Sequence, residues 1–261
     1  MIEEIIKISQ EAGDILLKHF KKNEKIDYKT DKFDPVTLAD KESSKFIIKE
    51  LKKLYSNDFF ISEEKDDKKV DYSKNVWIID PLDGTNAFVR GEKDFCVIIG
   101  LLKNKKPYLG VIHVPVSGET FYAVKNKGAY KLKNSIKTRL TVSNVPKIED
   151  STMMFRKRYG RTTVYDGFFK KIVVKKKNLS PSMGLMLLSV ASKKSDFGVK
   201  AGGHVAKWDT LAGQVILEES GGLLTHYDGS FLDYTNPKAV WQNHMIFSNK
   251  ILHEKIIELL K

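Results

Sequence analysis

The sequence predicts a mixed fold of helices and sheet, α/β or α+β, and three observations predict it. Apolar residues recur at helical spacing over residues 2–22. Strand-like runs follow one another at 95–102, 109–114, 119–124 and 129–132, separated by short lysine- and glycine-bearing turns, which reads as an antiparallel meander. Beyond residue 150 strand and helix alternate.

In chain order, Ile2, Ile5, Ile6, Ile8, Ala12, Ile15, Leu16 and Phe20 form the apolar face of the first helix. Residues 34–37, Asp-Pro-Val-Thr, are a turn, and Asp40 opens a second helix with Phe46, Ile47, Leu51 and Leu54 inward. Residues 59–61 are a short strand that ends on Ser62-Glu63-Glu64, and the charged stretch 65–74 is a surface loop. Residues 133–150 are polar with few large apolar anchors, which places a boundary between a part at 1–142 and a part at 143–261. In the second part a strand at 152–155 precedes helices near 164–171 and 183–193. A strand at 196–199 leads through Gly202-Gly203 to a helix over 208–219, which Gly221-Gly222 terminate. Strands near 223–227 and 244–248 and a helix from 250 complete the chain.

Composition narrows the function. The 261 residues, 41% hydrophobic, suffice for a sizeable core. No apolar run reaches the about 18 residues of a membrane span, and the N-terminus lacks the apolar block of a signal peptide. The expectation is a cytoplasmic protein without a membrane partner. Cys96, the single cysteine, lies in an apolar run and reads as a buried, inert thiol. The net charge of +12 reads as a solvated lysine-rich surface. No basic run is interleaved with aromatic residues as a stacking platform requires, so no nucleic acid polymer is expected as partner.

The chemistry concentrates in Trp77-Ile78-Ile79-Asp80-Pro81-Leu82-Asp83-Gly84-Thr85. Trp77 to Ile79 read as a buried strand with Asp80 at its end. Pro81 has no N–H to donate, so the sheet is expected to stop there, and Asp80 and Asp83 converge in the turn. Glu63, Glu64 and Asp209 also lie beside turns or helix starts. Taken singly, each has a plainer reading. Asp-Pro-x-Asp-Gly is common turn punctuation, Glu63-Glu64 suits a solvated loop, and Asp209 suits a helix N-terminus. Placed together, carboxylates repel unless a cation neutralises them. With neither cysteine nor paired histidine nearby, oxygen ligands favour magnesium or manganese. The carbonyl of Leu82 could add a ligand. Such a site acidifies water for attack on phosphorus and stabilises the departing oxygen. Thr85 would hold the water, Glu63 would accept its proton, and the turn Asp83-Gly84-Thr85 would receive the phosphate on its N–H groups. No Cys-x5-Arg or Gly-x-Ser-x-Gly pattern offers a covalent alternative.

These motifs resemble the inositol monophosphatase superfamily over nearly the whole chain. Residues 34–40, Asp-Pro-Val-Thr-Leu-Ala-Asp, are similar to its first signature, residues 77–85 to its metal motif, and Trp208-Asp209-Thr210-Leu211-Ala212-Gly213 to its C-terminal one. The resemblance implies an α+β fold, the layered αβαβα sandwich of the inositol monophosphatase/fructose-1,6-bisphosphatase type. It implies two or three magnesium ions on Glu63, Asp80, the Leu82 carbonyl, Asp83 and Asp209. Catalytic roles fall to Glu63, Thr85 and Asp40, and a homodimer and a small phosphorylated substrate are also implied. Inositol monophosphatases carry an acidic residue seven positions before the last metal aspartate, where this chain has Gly202. Residues 201–210 and 228–234 look more like 3′(2′),5′-bisphosphate nucleotidases, which makes Gly202, Gly203 and Lys207 the expected substrate-binding residues. Lys200, Arg90 and His204 are further candidate cations for a second phosphate. Residues 86–91, Asn-Ala-Phe-Val-Arg-Gly, look more like the inositol branch, so inositol 1-phosphate or another sugar phosphate is the alternative substrate.

Overall fold

The computed structural model describes residues 1–22, 27–28, 35–66, 70–156, 172–200, 205–236, 240–241 and 244–260. The expected helix near 164–171 lies outside the described residues, as do Asp34 and residues 201–204. Helix α1 (Ile2–His19) buries Ile5, Ile8, Ala12 and Leu16 along one stripe. Helix α2 (Leu38–Leu54) starts earlier than the expected Asp40. Thr37 is its N-cap and Asp40 its third residue, because the two close a capping box. Asp40 N donates to Thr37 Oγ1 at 3.4 Å, and Thr37 N donates to Asp40 Oδ2 at 2.7 Å.

Among the described residues two large sheets form. The first has eight strands in the order β10-β9-β8-β7-β6-β5-β3-β4. They are β3 (Phe59–Ser62), β4 (Lys65–Asp66), β5 (Val76–Asp83), β6 (Cys96–Lys103), β7 (Lys106–Val114), β8 (Glu119–Val124), β9 (Ala129–Lys133) and β10 (Ile136–Arg139). The β6–β9 run is the expected meander, and β3 joins β5 in parallel. The second sheet orders β12-β11-β13-β17-β15, from β11 (Thr152–Arg156), β12 (Lys176–Ser180), β13 (Phe197–Lys200), β15 (Leu223–His226) and β17 (Met245–Ser248). Short pairs join β1 (Asp27–Tyr28) to β2 (Pro35–Val36) and β14 (Val205–Ala206) to β16 (Val240–Trp241).

Three apolar clusters build the layers. One holds α1 and α2 against one face of the eight-stranded sheet, through Leu16, Ile47, Trp77, Ile79 and Ile99. A second fills the space between the sheets, where α4 (Met183–Ala191) and α5 (Lys207–Glu219) lie. The third places α6 (His253–Leu260) on the far face of the five-stranded sheet, through Ile246, Leu252 and Ile256. The sequence of layers is therefore αβαβα. No helix among the described residues is long and apolar enough to cross a membrane.

The middle layer packs directly against the backbone of the first sheet. Gly100 and Gly110 are partners across β6 and β7, and together they leave a bare patch on the sheet. A Cβ at Gly100 would stand 2.8 Å from Leu211, and one at Gly110 would overlap the backbone of Ala212. This clearance seats the first turns of α5, which carry Asp209, on the sheet backbone.

Four strand expectations need correction. The turn expected at 34–37 contains β2, which pairs with β1, and the surface loop expected from 65 opens with β4, which pairs with β3. Pro81 does not stop the sheet: β5 continues to Asp83. Its pairing with β6 slips between Asp80 and Asp83 and resumes with Asp83 opposite Cys96. The bulge absorbs the N–H that proline lacks. Within the polar stretch 133–150, β10 pairs with β9 as a fully exposed edge. Its alternation is silent because neither face is buried. Asn134 and Ser135, at φ 48° and 64°, make the two-residue turn that a hairpin needs.

Gly110→Ala should lose at least about 2 kcal/mol of stability through overpacking. Gly118→Ala, with φ +65° and nothing within 4 Å, should lose only about 1 kcal/mol from left-handed backbone strain. Urea denaturation of both variants checks the contrast. Burial pushes His113 and His253 from 6.5 down to about 4. Both are neutral in the fold where the unfolded chain binds protons, so their contribution is complete above pH 6.5 and declines as the pH falls towards 4. A melting series across that window should show the decline, weakened in His253→Gln.

Candidate active site

Strand β5 carries the centre of the site. Asp80 is buried and its Oδ1 accepts from Leu82 N at 2.9 Å, which turns the backbone through the bulge. Asp83 follows at the end of the strand, also buried. Asp209, half-buried, is the third residue of α5 and accepts from Ala206 N at 2.6 Å. The carboxylates of Asp80, Asp83 and Asp209 bring ligand atoms within 4.8 Å of one another. Glu63 lies just past β3, where its N–H donates to Ile79 O at 3.2 Å, and its side chain hydrogen-bonds to that of Asp80.

This crowding shifts protonation. Burial, then Glu63, Asp83 and Asp209, raises Asp80 well above the ordinary carboxylate range. Burial also raises Asp83, against hydrogen bonds from Ser182 and Gly184 and the charge of Arg156. Asp209 is raised to about 6 by burial and by Asp83, and Asp40 to about 7 chiefly by burial. Buried like charges at this spacing are costly without a compensating cation. The donor set is all oxygen, so the residues fit a hard divalent ion such as Mg²⁺.

The expected reaction side lies next to these groups. Thr85 Oγ1 is 3.0 Å from Leu82 O and 3.4 Å from Asp40 Oδ1, and its single proton serves one of them at a time. Asp40 Oδ2 is held by Thr37 through both N (2.7 Å) and Oγ1 (2.6 Å). Gly84 adopts φ 97°, and a Cβ there would stand 2.5 Å from Asp94 O. It is the N-cap of α3 (Thr85–Val89), whose first turn begins beside Asp83.

On the expected substrate side, Gly202, Gly203 and His204 lie outside the described residues. Lys207 is not the solvated helix-start lysine that its position allows. It is 1% exposed and donates to Tyr72 OH at 3.0 Å and to the carbonyl of Asn236. It thus ties α5 to the segment before β5 and to the turn at 233–236. Lys200 is buried at the end of β13, where its charge reaches Asp209, and Arg90 is exposed at the end of α3. Cys96 is buried, and its thiol is raised well above the usual range by burial and by Asp83, which keeps it inert.

Sequence reasoning missed Ser182, Met183 and Gly184. Ser182 Oγ and Gly184 N each donate to Asp83 Oδ2 at 2.6 Å, and Met183 N donates to Oδ1 at 3.3 Å. A serine before an apolar run is a readable N-cap signal, but nothing in the sequence says that the same end of α4 faces residue 83.

A sandwich of these layers with carboxylates at the bulged strand is the framework of a known family. Residues 1–261 match the inositol monophosphatase family, and the chain belongs to it. Its members are phosphatases that hydrolyse phosphate monoesters and depend on metal. The chain is 28% identical to the fructose-1,6-bisphosphatase/inositol-1-monophosphatase of Thermotoga maritima, over 98% of this chain and 93% of that one. It is 29% identical to the 3′(2′),5′-bisphosphate nucleotidase CysQ of Aggregatibacter actinomycetemcomitans, over 92% and 89%. The solved structure of a Thermotoga maritima IMPase superposes with a TM-score of 0.84 at 27% identity, over 98% and 94% of the two chains.

Neutralising one carboxylate tests the crowding. Asp209→Asn retains the oxygen that accepts from Ala206 N and removes a charge. It should raise the stability of the metal-free protein by about 1 kcal/mol, while the stabilisation that Mg²⁺ gives the parent chain disappears. Urea midpoints in chelator and in Mg²⁺ measure both effects.

Proposed function

We propose that this chain is a 3′(2′),5′-bisphosphate nucleotidase that releases the 3′-phosphate of adenosine 3′,5′-bisphosphate at the carboxylate cluster. The observation that carries the site is the meeting of Asp80, Asp83 and Asp209 within 4.8 Å. Glu63, Asp80, the Leu82 carbonyl, Asp83 and Asp209 would hold Mg²⁺. Bound there, the ion supplies positive charge to the phosphate oxygens and makes water more acidic.

The chain's own groups do the rest. The hydroxyl of Thr85, fixed between Leu82 O and Asp40, orients the attacking water through its lone pairs. Glu63, half-exposed beside Asp80, takes the proton. The N–H groups of Gly84 and Thr85, at the start of α3, receive phosphate oxygens. Asp40 fixes Thr85 and is itself fixed by Thr37.

The nucleotide is favoured by the likeness of residues 201–210 and 228–234 to that branch and by Gly202 in place of an acidic residue. The positive charges of Lys200 and Arg156, felt at Asp209, suit a substrate with two phosphates. The second reading, inositol 1-phosphate, is favoured by residues 86–91 and by the name of the Thermotoga maritima relative.

Phosphate release in Mg²⁺ from adenosine 3′,5′-bisphosphate and from inositol 1-phosphate, at equal concentration, decides between them. A large preference for the nucleotide is expected, and a preference for inositol phosphate overturns the choice of substrate. Asp83→Asn should lower turnover on either ester at least about 100-fold with the fold intact by circular dichroism. Near-normal turnover would remove Asp83 from the site.

A further inference from the structure

Asp83, alone among the aspartates Asp80, Asp83 and Asp209 in the described residues, is gripped from the other half of the chain. Its donors, Ser182, Met183 and Gly184, are about a hundred positions away and form the first turn of α4. Ser182 is fully buried. Its hydroxyl has one proton and two lone pairs. It accepts from Leu185 N at 3.0 Å, as the N-cap of α4, and gives its proton to Asp83 Oδ2 at 2.6 Å. The helix thereby orients the hydroxyl, and the hydroxyl orients the carboxylate.

The two oxygens of Asp83 are not equivalent. Oδ2 takes both short bonds, from Ser182 Oγ and Gly184 N, and lies 3.8 Å from Cys96 Sγ. Oδ1 takes one long bond of 3.3 Å from Met183 N and retains lone-pair capacity for a cation. Gly184 completes the seat, since a Cβ there would stand 3.1 Å from Asp83 Oδ2 and 2.8 Å from Ile98 Cδ1. We propose that Ser182 is a positioning residue for the divalent cation, presenting Asp83 to it by locking Oδ2 onto the start of α4. The proposal rests on the reading of Asp80, Asp83 and Asp209 as cation ligands. Partners of this kind set the orientation of a ligand, and their loss typically weakens metal affinity 10- to 100-fold.

The test measures cation affinity without substrate, as Mn²⁺ binding to the metal-free 261-residue chain by electron paramagnetic resonance of the free ion. Ser182→Gly removes the hydroxyl but keeps a residue that starts helices nearly as well. Mn²⁺ affinity should fall about tenfold with little change in the melting temperature of the metal-free protein. Ser182→Thr keeps the hydroxyl and should bind within about threefold of the parent. Gly184→Ala, which crowds Oδ2 from the other side, should weaken binding as well and carries the same test if Ser182→Gly does not fold. Parent-like affinity in a folded Ser182→Gly or Gly184→Ala chain, or an equal loss in Ser182→Thr, would overturn the positioning role. A parent chain that binds no Mn²⁺ would instead overturn the cation reading beneath it.

Discussion

The contact between α5 and the backbone of the eight-stranded sheet is the constraint on which the rest depends. Helices normally stand 8–10 Å from their neighbours because side chains separate them. Here Gly100 and Gly110, paired across β6 and β7, remove those side chains beneath Leu211 and Ala212. Asp209, in the same turn of helix, is carried to within 4.8 Å of Asp80 and Asp83. On the other side of α5, a Cβ at Gly213 would collide with Leu187 of α4. Small residues on both sides of one helix therefore set the depth of the middle layer, and with it the width of the site.

The site concentrates cost where the fold is strongest. β5 is buried along its whole length, and its bulge at Pro81 turns Asp80 and Asp83 into one region. Burial raises all three carboxylates of the cluster, and repulsion from neighbouring carboxylates adds to it at Asp80 and Asp209. Part of that cost is offset by fixed donors: Leu82 N to Asp80, Ala206 N to Asp209, and Ser182, Met183 and Gly184 to Asp83. These bonds hold the charged groups still, which a free carboxylate in solution could not match. The remainder is what a cation would neutralise. Lys207 has the complementary task, as a buried lysine whose bonds to Tyr72 and Asn236 tie three segments together beside Asp209.

Much of this was legible because the physics is local. The apolar stripe of α1, the meander of β6 to β9, and the cluster of Asp80, Asp83 and Gly84 at a strand end each follow from the spacing of a few neighbouring residues. What escaped was either unpatterned or contextual. β10 buries neither face, so no alternation marks it. Pro81 carries a correct local meaning, a missing donor, yet a bulge accommodates it and the strand continues. The capping box is present in the sequence as Thr37-x-x-Asp40, but an aspartate before an apolar run suits a helix start equally well, and only the hydrogen bonds identify it as the reciprocal partner of Thr37.

By itself the sequence narrowed the fold to a mixed class, α/β or α+β, through periodicity, and the chemistry through residue types that suit a hard cation and a phosphate. It also determined the family, because three short motifs keep their order and spacing. Only the tertiary structure decided which groups meet. Asp83 and Ser182 are nearly a hundred residues apart, and Lys207 and Tyr72 still further. Gly100 and Gly110 acquire meaning only once a helix lies on them. Those pairings arise from packing two sheets around one helical layer, and long-range packing leaves no period in the chain from which to read it.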